Sequence, residues 1–120
     1  ELRNTEALTL LASLVDSFVE AYWMVATTLR DLRSFPLWDR ELIARAGEHA
    51  QRAFLVGDIG CAEAASTTLI GSAVGWMVDS GVLQARTEGR RKNLRLSERY
   101  ADEQLEKLIG DIHAFVVVRH

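Results

Sequence analysis

At 120 residues, with 48% hydrophobic and 26% charged side chains, the chain has the balance of one folded domain with a real core, which excludes a disordered or collagen-like polymer. Seventeen acids against fourteen bases leave a net charge of −3, so no field of one sign covers the molecule to draw it to nucleic acid or acidic lipid, and any such attraction must be local. The single Cys61 excludes an internal disulfide, and no Cys/His set has the spacing of a zinc site, so a reducing compartment is the default and neither metal nor cofactor is expected.

The run from Asn4 to Arg33 contains no Gly or Pro, and places Leu8, Leu11, Val15, Phe18, Tyr22, Val25, Leu29 and Leu32 at steps of three and four. That spacing predicts one long amphipathic helix with Asn4 as N-cap, stopped ahead of Phe35-Pro36, where the proline disfavours helical geometry in the residue before it. Leu8 to Leu29 is also about a membrane span in length. It carries Asp16 and Glu20 near its middle, however, and an Asp at the bilayer centre costs roughly 2.5 to 3.5 kcal/mol against tenths gained per Leu or Val, so a spanning segment is not expected. Leu10, Leu14, Phe18, Trp23 and Met24 widen the apolar sector beyond one core contact, which predicts cover on two sides, by the domain itself and by something else.

After Pro36 a second helix is predicted, with Leu37, Ile43, Ala46, Ala50 and Phe54 inside and an end at Gly57. A third, Ala62 to Ser80, is broken near Ser66 and carries Gly71 and Gly75 four apart, a spacing that permits close approach of another helix. Gly81 follows as a left-handed cap. Val82–Arg86 and Asn93–Leu96 alternate apolar and polar and read as a two-stranded hairpin turning at Gly89. The last helix begins near Ser97, a candidate cap, or Ala101 and runs to Val117 with Leu105, Leu108, Ile109, Ile112 and Phe115 on one face. The expectation is a single domain over residues 1–120, mainly α, winged-helix-like, with a long N-terminal helix and one two-stranded β-hairpin.

No complete catalytic constellation is present. His49 lies between Glu48 and Arg52 in a charged helical stretch, His113 precedes AFVVV, and His120 ends the sequence; none has a nearby Ser, Cys or carboxylate in triad or metal-ligand spacing. Cys61 follows a glycine at a predicted helix start, a position that lowers a thiol pKa. GDIG and GSAVG lack the Lys and the spacing of a phosphate loop. No catalytic, cofactor-binding or metal residue is therefore assigned.

The sharpest feature is the hairpin. Arg86, Arg90, Arg91, Lys92 and Arg95, offset by Glu88, give it a charge of +4, enough to seat phosphates or acidic groups. A winged-helix DNA reader also needs polar and basic side chains on the helix before the wing. Here that helix, TTLIGSAVGWMVDSG, has no Lys or Arg and carries Asp79. Docking charges are the better reading, paired with acids such as Glu98, Asp102 and Glu103 or with another chain. The candidate contacts are thus Arg86, Arg90, Arg91, Lys92 and Arg95, with Phe18, Tyr22, Trp23, Gly71 and Gly75 as a helix interface. The alternative is a winged-helix DNA-binding regulator or adaptor that dimerises through helix 4–33.

Three stretches, DSFVEAYWMVATTL, ASTTLIGSAVGWMVDSGVLQ and NLRLSERYADEQLEKLIGDI, resemble in this order the C-terminal region of the membrane-associated glycerol-3-phosphate acyltransferases, the bacterial and mitochondrial type. The residues that carry the resemblance are Phe18, Glu20, Tyr22, Val25 and Leu29 of an F-x-E-x-Y-x-x-V-x-x-x-L helix and Gly81, Val82 and Leu83 of a helix-ending G-V-L step. It implies a parent protein that moves a fatty acyl group from acyl-CoA, or from acyl carrier protein in bacteria, to the sn-1 hydroxyl of glycerol 3-phosphate. The family's base is the histidine of a His-x4-Asp motif. Position five beyond His49 is Phe54 and beyond His113 is Val118, so that role is carried over to no residue. The resemblance implies a non-catalytic C-terminal module of a longer chain, partnered by the catalytic acyltransferase domain, membrane-associated and facing the cytoplasm or an organelle surface, with nucleic acid not expected as a partner.

Overall fold

In the computed structural model of the chain, residues 2–30, 36–100 and 103–119 are described, with side chains described from Val15 onward except Glu63 and residues 117–119. Four helices, α1 (Leu2–Thr28), α2 (Asp39–Leu55), α3 (Thr67–Asp79) and α4 (Glu103–Arg119), surround one core with a small antiparallel sheet beside them. The sheet has three strands, β1 (Leu37–Trp38), β2 (Leu83–Glu88) and β3 (Arg91–Leu96), in the order β1-β3-β2.

The helix α1 is the axle of the molecule and touches α2, α3 and α4. From Ser17 to Leu29 its buried residues go nearly all round: Ser17, Glu20, Ala21, Met24, Val25, Ala26, Thr28 and Leu29. This answers the broad apolar sector in part. Three helices of the same chain supply one side of the cover for that half of α1, Val15 stays exposed, and the side chains of Leu10 and Leu14 lie outside the described ones. Two boundaries also differ from expectation. The helix begins at Leu2, ahead of Asn4, so Asn4 is not its cap. It ends at Thr28, where the hydroxyls of Thr27 and Thr28 both donate to the Met24 carbonyl, the local side-chain competition that weakens a helix from within; Leu32 lies outside the described residues.

The segment after Pro36 opens with a strand. Leu37 and Trp38 pair with Leu94 and Asn93 of β3, so the predicted two-stranded hairpin is a three-stranded sheet and Leu37 belongs to it, not to the inner face of α2. Pairing with β3 keeps the backbone extended as far as Trp38, the N-cap position of α2, at φ −68°, ψ 150°. The stripe that α2 buries is Leu42, Ala46, Ala50 and Ala53. Ile43 is half-buried and Phe54 exposed, because the three small alanines let the backbone of α2 settle close to its neighbours and leave the bulky positions to the flank.

Helices α2 and α3 end alike. The N–H of Gly57 donates to the Phe54 carbonyl and that of Asp58 to Ala53; the N–H of Gly81 donates to Val78 and that of Val82 to Met77. This is the paired 6→1 and 5→2 pattern that closes a helix through a left-handed residue, and the two glycines stand at φ +86° and +85°. The predicted break at Ser66 is present: its hydroxyl accepts from the Leu69 N–H as the cap of α3, after a 3-10 turn over Ala62–Ala65. Ser97, expected as a helix cap, has a different task. Its hydroxyl donates to the Gly81 carbonyl at 2.6 Å and its N–H to Val82 at 3.0 Å, which ties the end of β3 to the end of α3.

Helix α4 begins at Glu103 and buries Leu105, Ile109 and Val116, with Leu108 and Ile112 packed at the edge of the core and Phe115 about half exposed. It is held on α1 by the stacking of Trp23 on His113, ring centroids 4.8 Å apart, and by a two-pronged contact of Arg30 with Glu106 at 2.8 and 3.0 Å.

Candidate interaction face

The hairpin strands run further than expected, to Glu88 and from Arg91, leaving Gly89 and Arg90 as the tip. Leu94, 1% exposed, marks the sheet face that meets the core. Side chains alternate across a strand, so Arg91, Asn93 and Arg95 stand on the other face. Across β2 their partners are Glu88, Arg86 and Gln84; across β1, Asn93 faces Trp38.

Asn93 is therefore the hub of a small array. Arg86 is directly opposite on one side and Trp38 on the other, each about 5 Å away between Cβ atoms. Arg91 and Arg95 lie two residues up and down the same strand, about 7 Å each way. Arg91 also lies over the indole of Trp38, with its Cζ 5.7 Å from the ring centroid, a cation–π contact that orients the guanidinium. All three arginines are exposed and Asn93 and Trp38 are half-buried.

The five predicted basic contacts thus divide. Arg86, Arg91 and Arg95 share this outer face. Lys92 pairs with Thr87 on the opposite face, beyond the reach of the core, and Arg90 caps the tip. The expected pairing of these charges with Glu98 and Glu103 is not made among the described residues, where Arg30, just past α1, pairs with Glu106, and Asp102 lies outside them. Among the described residues no hairpin charge is held in an ion pair.

The helix-interface residues divide as well. Phe18 and Tyr22, ring centroids 6.2 Å apart, line a groove of about 330 Å³ between α1 and α4, completed by Val19, Asp111, Ile112 and Phe115. Trp23 is taken up by His113. The close helix approach expected over Gly71 and Gly75 is not made within the domain. A Cβ on Gly71 would meet only Ile43, at 3.9 Å, and one on Gly75 would meet nothing within 4 Å. Gly75 instead belongs to the exposed side of α3 with Thr68, Ser72, Trp76 and Asp79, and none of these is basic.

Glu20, 1% exposed, has a task that sequence reasoning did not assign. Its two carboxylate oxygens accept from the N–H groups of Gly60 and Cys61, at 2.7 and 2.8 Å. A carboxylate with two backbone donors is a charge-assisted clamp, and it fixes the loop between α2 and the 3-10 turn onto α1. Cys61 consequently departs from expectation: its thiol is pushed above the ordinary value, first by burial and then by the carboxylates of Glu20 and Asp16, while the Ser17 hydroxyl acts the other way. That is the opposite of an activated nucleophile. Tyr22 is likewise raised, by burial and by Tyr100, against a hydrogen bond with Ser80. Among the described residues no group of three or more His, Cys, Asp and Glu side chains could hold a metal ion, and no helix is long and apolar enough to cross a membrane.

The residues that carry the sequence resemblance turn out to be mostly residues that hold the fold: Glu20 clamps the loop, Val25 and Leu29 are fully buried, Gly81 closes α3, and Val82 and Leu83 are 2% exposed. The model of the glycerol-3-phosphate acyltransferase C-terminal region matches residues 1–86. The chain belongs to this family. The match runs from α1 through the first four of the six residues of β2 and ends at Arg86, so the third resembling stretch, Asn93 to Ile112, lies beyond it. Comparisons with curated proteins and with solved structures gave no match.

Proposed function

We propose that the chain is the non-catalytic C-terminal module of a glycerol-3-phosphate 1-O-acyltransferase, packing against the catalytic domain that transfers the acyl group in phospholipid synthesis. The family match over residues 1–86 carries this reading. It is supported by the use of the matching residues for folding and by a cysteine whose environment disfavours the thiolate. In this reading the element order α1-β1-α2-α3-β2-β3 and the strand order β1-β3-β2 make a winged-helix-like scaffold whose wing serves protein contact. The base-free exposed side of α3 speaks for protein over nucleic acid, since phosphate contacts would be needed there. The whole protein works at a membrane surface, and this module braces the catalytic domain through the hairpin and the groove of Phe18 and Tyr22.

The test is reconstitution. The chain is mixed with an acyltransferase domain bearing the His-x4-Asp motif and the mixture is followed by size exclusion and by acyl transfer to glycerol 3-phosphate. A 1:1 complex with raised activity or thermal stability is expected. Two species that elute separately, with the catalytic domain fully active alone, would overturn the proposal.

A further inference from the structure

We propose that the outer face of the sheet, centred on Asn93 and bounded by Arg86, Arg91, Arg95 and Trp38, is the docking site for an acidic segment of the catalytic domain. This rests on the module reading above and specifies which surface of the module is used and by what chemistry. The hairpin Leu83–Leu96 carries five bases against Glu88, or +4, so with a whole-chain charge of −3 the remaining residues carry −7. Net positive charge is thus concentrated on the hairpin, while the rest of the chain is net negative.

Such a distribution selects its partner. A nucleic-acid duplex is a polyanion longer than the hairpin and would run onto the base-free exposed side of α3, with Asp79 on it, and onto the negative remainder. A short acidic segment touches the hairpin alone. The array also has the form of a recognition surface for carboxylates. Arginine presents a planar fork that binds them in bidentate fashion, and the three forks here are set about a half-buried amide that can both donate and accept. Trp38 closes the array on the β1 side, an aromatic anchor of the kind enriched in the centre of protein interfaces. Among the described residues no carboxylate ion-pairs with any of the three guanidiniums, so docking need break no existing pair.

The experiment measures the Kd of the full chain for the catalytic domain, with two charge-reversed variants. Arg86→Glu, Arg91→Glu and Arg95→Glu together are expected to weaken association at least about 100-fold, because several close charge pairs turn repulsive at once. Arg90→Glu with Lys92→Glu, which changes two charges off the face, is expected to weaken it less than about fivefold, as for rim charges. The indole N–H resonance of Trp38 is expected to move on complex formation. The three face positions are exposed, so unchanged circular dichroism is expected; should the triple reversal not fold, the triple Arg→Gln variant replaces it, with a loss of at least about tenfold. Association of the unsubstituted chain that is insensitive to the triple variant, or equally sensitive to both variants, overturns this inference and leaves the module reading standing. Failure of the unsubstituted chain to associate overturns the module reading itself. Binding of a 20-base-pair duplex through the same arginines, tighter than the catalytic domain, overturns the choice of protein over nucleic acid.

Discussion

Glu20 and the hairpin arginines handle charge in opposite ways. Glu20 is buried and spends both carboxylate oxygens on backbone N–H groups forty and forty-one residues away. Arg86, Arg91 and Arg95 are exposed on a sheet whose core face is already held by Leu83, Leu94 and Leu37. The first charge is part of how the chain folds; the second set makes no ion pair among the described residues and, in the docking inference, serves a partner. In this comparison the folding charge is a carboxylate saturated by internal N–H donors, and the charges assigned to binding are guanidiniums with no internal carboxylate acceptor among the described residues.

The comparison is broken first at Glu20. Glu20→Ala removes the acceptor of two part-buried, charge-assisted hydrogen bonds and is expected to destabilise the domain by about 3 kcal/mol, a large share of the roughly 5–15 kcal/mol that holds a domain of this size. Glu20→Gln keeps one acceptor oxygen and brings an NH2 against a donor, for a loss of about 2 kcal/mol. Urea unfolding of the variants measures both, and a loss under about 0.5 kcal/mol for the alanine variant would remove the carboxylate from the architecture.

The junction between α3 and the hairpin comes next, since it belongs to folding while carrying the docking face. At φ +85°, Gly81→Ala forces a side chain into left-handed geometry, and its Cβ would lie 3.4 Å from Nη2 of Arg99; about 1–2 kcal/mol is expected. Ser97→Ala removes the hydroxyl that donates to the Gly81 carbonyl and is expected to cost about 1 kcal/mol. If the docking inference is right, both variants retain association once folded, which binding measured below their melting temperatures checks.

Much of this was legible in the chain, and what was hidden was hidden for particular reasons. Apolar steps of three and four announced α1, and glycines 57 and 81 announced where α2 and α3 stop, because those signals are local. The strand Leu37–Trp38 is two residues long, too short for any periodicity, and exists only because β3 pairs with it. The inner face of α2 was displaced because bulk suggests burial, whereas here Ala46, Ala50 and Ala53 are buried to let neighbours approach and Phe54 is turned outward. At the site the five bases were visible at once. Their division into face and tip needed Leu94 as a reference, and the parts played by Trp38, Asn93 and Glu20 depend on partners that only the folded chain brings near.

The smallest effect makes the sharpest test of the contrast. Arg91 and Arg95 flank Asn93 on the same strand, but Arg91 lies over the Trp38 ring at 5.7 Å and faces Glu88 across β2, where Arg95 faces Gln84. An exposed cation–π contact contributes about 0.5–1 kcal/mol, so Arg91→Ala is expected to destabilise the domain by about 0.5–1 kcal/mol more than Arg95→Ala, which forfeits no such contact. Arg91→Lys keeps the charge but loses the planar stacking surface, and should fall between them. The two alanine variants should part in stability but not in binding, where each removes one guanidinium from the same array and each weakens association by a similar factor. Equal stability with unequal binding would reverse the assignment, making the indole contact a feature of the docked state and Trp38 the group the partner reads first.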